Sequence, residues 1–128
     1  MFRIKLGKPE VQDLWNQLIG RIGQKRATKD DKRMAKRLVK AFGLLANDPR
    51  HPGLNSHDID DLTARYGQKV WESYLENNTP AAGRIFWTYG PGRNEITIIA
   101  IEPHPNSSKS NAYDRITLSA MSDSDNAE

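Results

Sequence analysis

The apolar residues of this 128-residue chain change their spacing once, and that change narrows what the chain can fold into. Val11, Leu14, Trp15, Leu18, Ile19 and Ile22 recur at intervals of three and four, the period of one helix face. Met34, Leu38, Ala41, Phe42 and Leu45 repeat the pattern. From residue 70 the period shortens: 70–76, 84–89 and 95–102 are rich in aromatic and β-branched residues and read as strands. Two helices followed by a meander of strands predict an α+β fold. The N-terminal strand and a helical hairpin pack on one face of a small, mainly antiparallel sheet.

Local signals mark the ends of these elements. "FRIKL" reads as a first strand, and Pro9 stands where a first helical residue is tolerated, with Glu10 and Asp13 in the first turn. Gly20 and Gly23 weaken that helix toward its end. "TKDD" reads as a capping box, Thr28 with Asp31 three residues on. "NDPRHPG" stops the second helix, and "GPGRN" joins the last two strands. The ending "SAMSDSDNAE" is short, polar and acidic, so a single domain over 1–119 with a disordered tail over 120–128 is expected. In the middle strand Ile85, Trp87 and Tyr89 share the better core face. Arg84 and Phe86 then fall on the opposite face, expected to be open and functional.

Charge divides the chain. Residues 1–40 carry twelve Lys or Arg against four acids, a net of +8, whereas 41–128 carry seven against twelve, a net of −5. The basic half calls for an anionic partner, nucleic acid or acidic protein, or else is a solvated helix face. There is no cysteine, which removes disulfides and thiolate metal sites and fits a reducing compartment. The longest apolar run, Ile98 to Ile101, is far too short to cross a membrane, and the N-terminus has no apolar signal core. A cytoplasmic protein with no membrane partner is expected.

The stretches "HPGLNSHDID", "VWESYLENNTPAAGRIFW" and "ITIIAIEPHP", in that order, resemble the RelE/ParE superfamily of toxins from bacterial type II toxin–antitoxin pairs. The resemblance spans about residues 2 to 119. Its RelE and HigB branches are messenger-RNA endonucleases of the translating ribosome; its ParE branch poisons DNA gyrase. It therefore implies a metal-independent mRNA endonuclease without a cofactor, whose partners are a cognate antitoxin, the ribosome and mRNA.

By the same resemblance, Arg84 takes the position of the arginine that holds the scissile phosphate, and His104 ends the last long strand where the family places an arginine or histidine. His104 stands between Pro103 and Pro105, which stiffen its presentation, and an imidazole titrates near neutrality. Tyr113 resembles a C-terminal tyrosine that stacks on or orients RNA. His57 resembles a histidine of the HigB branch and is a second acid or base. Lys25, Arg26, Lys29, Lys32, Arg33, Lys36 and Arg37 would contact ribosomal RNA or an antitoxin, and Phe86 would stack on a base. On this reading His104→Ala and Arg84→Ala abolish toxicity while the fold survives.

Other readings of the same residues stay open. His57 could be a loop or capping residue, Tyr113 could pack on the sheet edge, and the lysines could only solvate a helix pair. A ParE-like gyrase inhibitor needs no acid–base pair, and a degenerate toxin would only bind its antitoxin.

Overall fold

The structure, a computed structural model, describes residues 1–76, 79, 83–102 and 116–121. Along the chain it forms β1 (Arg3–Leu6), α1 (Glu10–Gly23), α2 (Lys29–Asn47), a 3-10 turn (Pro52–Leu54), β2 (His57–Asp58), α3 (Asp60–Tyr66), β3 (Trp71–Tyr74), β4 (Arg84–Tyr89) and β5 (Glu95–Glu102). The strands lie in one sheet in the order β1-β5-β4-β3-β2. β1 runs parallel to β5, and the other pairs are antiparallel. The architecture is α+β, as the change of period implies.

α1 begins after Pro9, one place later than expected, and its first turn carries Glu10 and Asp13 against the positive helix end. It buries Val11 and Leu18, while Leu14 and Ile19 turn outward, so the apolar stripe is narrower than the sequence suggests. Both halves of the capping box before α2 form: Asp31 N donates to Thr28 Oγ1 and Thr28 N donates to the Asp31 carboxylate, each at 3.0 Å. That carboxylate also accepts two bonds from Arg21 of α1, at 3.0 and 3.1 Å. The Arg21 guanidinium, with the Thr28 N–H after it, holds the Asp31 carboxyl below its ordinary 3.8. One side chain thus caps a helix and ties it to its neighbour.

α2 buries Ala35, Leu38, Ala41 and Leu45 against Ile85, Trp87, Ile96 and Ile98 of the sheet. This is the expected helix-facing core. The opposite face differs from expectation, because it is covered. Ile59 and Leu62 pack there with Val70, Phe86, Ile99, Ala100 and Ile116. Leu62 belongs to α3, a seven-residue helix that no apolar period in the sequence announces. A bulge in β5 contributes: Phe86 pairs with Ala100 and Trp87 with Ile98, so Ile99 is the extra residue and joins Ala100 in the second core.

The C-terminal described segment closes the structure against its beginning. Ser119 N donates to Ile99 O at 2.8 Å, and Lys8 and Ala120 exchange backbone bonds at 2.9 and 3.0 Å. Ser119 Oγ accepts from Val11 N at 3.1 Å and donates to the Glu10 carboxylate at 3.1 Å. Ala120, assigned to the tail from sequence, is therefore paired, and residues 122–128 lie outside the described residues. Among the described residues no helix is long and apolar enough to cross a membrane.

Candidate functional site

A strip of charge crosses the sheet on the face that α3 covers. Cross-strand register aligns its members: His57 pairs with Glu72, Glu72 with Phe86, and Arg84 with Glu102. Glu72 is the centre. Its side chain is only 1% exposed, and it meets His57 Nε2 at 2.7 Å on one side and the Arg84 guanidinium on the other. Arg84 also lies over the Phe86 ring, 5.2 Å from its centroid. Burial pushes the Glu102 carboxyl above its ordinary range, and the positive charge of Arg84 pulls it partly back.

His57 is the solvent-facing member, with 45% of its side chain exposed. An imidazole aligned by a buried carboxylate is the arrangement that acid–base chemistry uses. Its other nitrogen, Nδ1, is 2.8 Å from Asn55 O. Each ring nitrogen therefore faces an oxygen acceptor, and in this conformation neither is open to a substrate. Asn55 holds a left-handed conformation, φ 50°, which turns the chain from the 3-10 turn into β2.

Two expectations are corrected here. Arg84 and Phe86 do not line an open face: they are 4% and 0% exposed, and Phe86 packs with Leu62 of α3 and with Ile116. Phe86 in this position cannot stack on a base, and Nη1 of Arg84 is engaged by Glu72. Arg84→Ala is consequently a poor test of chemistry, since it strands a buried carboxylate and disturbs the fold itself. His104 and Tyr113 lie outside the described residues.

The basic residues fare differently. Lys25, Arg26, Lys29, Lys32, Arg33, Lys36 and Lys40 are exposed. Arg33 pairs with Asp30 at 3.2 Å, and Arg37 with Glu76 at 2.7 Å. Among the described residues no carboxylate lies within 4 Å of Lys25, Arg26, Lys29, Lys32, Lys36 or Lys40. Lys36 and Arg33 line two grooves, one closed by Leu75 and Glu76, the other by Ala35 and Val39. Val39 is 60% exposed there, an apolar side chain among cations.

Sequence reasoning missed Glu72 and Glu102 as partners of the histidine and arginine. For Glu72 the signal was present in "VWESY", where an acid interrupts a strand otherwise built for a core. Comparison with family models, with curated proteins and with solved structures finds no match to this chain.

Proposed function

We propose that this chain is the toxin of a type II toxin–antitoxin pair, a RelE/HigB-like endonuclease that cuts mRNA on the translating ribosome in the cytoplasm. The observation that carries the reading is the row Lys25, Arg26, Lys29, Lys32, Lys36 and Lys40 on α2 and the loop before it, exposed and, among the described residues, with no carboxylate within 4 Å. Such a row contacts phosphates and releases their counterions. The ribosome would be its target, and a cognate acidic antitoxin would cover the same side chains and silence the toxin.

The reaction would need no metal. The 2′-hydroxyl attacks the adjacent phosphorus, a base takes its proton, and an acid protonates the departing 5′-oxygen. A 2′,3′-cyclic phosphate and a 5′-hydroxyl remain. His104 and His57 would share these proton transfers, with Tyr113 orienting the nucleotide. His57 would first have to release either Asn55 or Glu72.

One observation favours a second reading. Arg84 is buried on Glu72 and both nitrogens of His57 are engaged, which suits a toxin that binds without cutting, a gyrase inhibitor or an antitoxin-binding copy.

Mapping transcript 5′-hydroxyl ends after a short pulse of expression separates these readings. New ends inside translated frames, absent when the start codon is mutated and absent in His104→Ala, are expected. Growth arrest with intact transcripts and broken DNA would replace the nuclease with a gyrase inhibitor. No arrest would leave the antitoxin-binding copy.

A further inference from the structure

A second concave site lies on the helix-facing side of the sheet, away from the charge strip. It is a cavity of about 280 Å³ lined by Pro49, Arg50, Ser56, Trp71, Trp87 and Tyr89. Trp71 and Trp87 are register partners on β3 and β4, and their rings stack with centroids 5.7 Å apart at 15°. Tyr89 meets both rings edge-on, 5.2 Å from Trp87 and 6.5 Å from Trp71.

The two stacked indoles differ in their hydrogen bonding. Trp87 Nε1 donates to Ser73 Oγ at 2.8 Å. Ser73 and Ser56 share a bond at 2.7 Å, and Ser56 donates to Pro49 O at 2.8 Å. The protons run one way, from Trp87 through both serines to Pro49, and every donor in that line finds an acceptor. Trp71 Nε1 is also buried, yet it has no partner among the described residues. A buried donor without an acceptor is uncommon in a folded protein and calls for an explanation.

Arg50 brings a positive charge to the rim of the cavity. It is exposed, and among the described residues no carboxylate lies within 4 Å of its guanidinium. A free guanidinium beside an aromatic wall suits a phosphate attached to a planar ring. The volume lies just below the usual range of about 300–1,000 Å³ for small-molecule sites, so one ring system fits better than two.

We propose that this cavity binds a single nucleotide. The base lies against the aromatic wall, one of its acceptors takes the Trp71 Nε1–H, and its phosphate pairs with Arg50. The nucleotide is either free or an unstacked residue of an RNA strand. The site uses none of the side chains given acid–base roles above, so it stands apart from the nuclease reading. Binding without transcript cleavage would leave it intact while removing that reading.

The test uses the full chain. Titrate it with each of the four ribonucleoside 5′-monophosphates, with an RNA hexanucleotide and with ribose 5-phosphate, following the indole N–H resonances and the heat of binding. Trp71→Phe identifies its own resonance and removes the N–H while keeping a ring on Trp87. The Trp71 signal should shift saturably with at least one monophosphate or with the hexanucleotide, and Trp15 should not move. Affinity should fall about tenfold in Trp71→Phe and in Arg50→Ala, as the loss of one hydrogen bond or ion pair implies. Tighter binding of the hexanucleotide than of any monophosphate assigns the site to RNA; the reverse assigns it to a free nucleotide. Three results would overturn the proposal: no saturable shift with any probe, ribose 5-phosphate binding as tightly as the nucleotides, or unchanged affinity in both variants. Arg50 is exposed, so its variant keeps the test decisive if Trp71→Phe fails to fold.

Discussion

Replacing Glu72 with alanine removes the buried carboxylate that both Arg84 and His57 touch, and opens a gap beneath His57. Breaking a buried pair this way costs about 3–5 kcal/mol, so Glu72→Ala should lose that much in urea unfolding. The paired change Glu72→Leu with Arg84→Met removes both charges and should recover most of it. Two other carboxylates give opposite pH responses. Glu102 has a folded pKa above its ordinary 4.5, so its contribution is full below 4.5 and is lost as pH rises through the folded value. Wild type should therefore lose stability relative to Glu102→Gln as pH climbs above 4.5. Asp31 is depressed below 3.8, so its contribution is present above that value and is lost as pH falls further. Wild type and Asp31→Asn should converge only at the acid end of a denaturation series.

At the level of elements, the capping box and the closing segment make the sharpest claims. Thr28→Ala removes the side-chain acceptor of Asp31 N and should cost about 1 kcal/mol in the same assay. At Gly7 an added Cβ would stand 2.7 Å from Ser119 Cβ and 2.9 Å from the carbonyl oxygens of Ala120 and Ile98. Gly7→Ala should therefore destabilise by about 1–3 kcal/mol, through the join between β1 and the last described residues. Both helices, the capping box and the three long strands were legible because each repeats a period over enough residues to be seen. α3 was not, since "DDLTARY" spans only two turns and offers Leu62 alone as a buried residue. Without α3 the second sheet face would be open. Alternation along β4 separated Arg84 and Phe86 from Trp87 correctly. No periodicity, however, reports that a short helix and Ile116, distant in sequence, will cover what alternation exposes.

For the whole molecule, the division of charge is the property most open to measurement. If α2 docks on RNA, log affinity should fall linearly with log salt. Lys32→Ala and Lys36→Ala should each reduce that slope by about 0.7, the single-strand value per phosphate. A slope unchanged by both would leave those lysines as solvating charges. The topology adds a constraint of another kind. β1 lies beside β5, joined through Arg3–Glu95 and Leu6–Ile98, so the first strand finds its neighbour only after the last one exists. Chains grow at about 5–20 residues per second, so for roughly 5–20 s of synthesis the N-terminal strand waits while its helices form beside it. The clasp of Lys8 on Ala120 and of Val11 on Ser119 comes later still. A nascent copy that has not yet reached Glu95 has neither the strand that β1 pairs with nor the closure, so whatever this fold does waits until those late residues have been made.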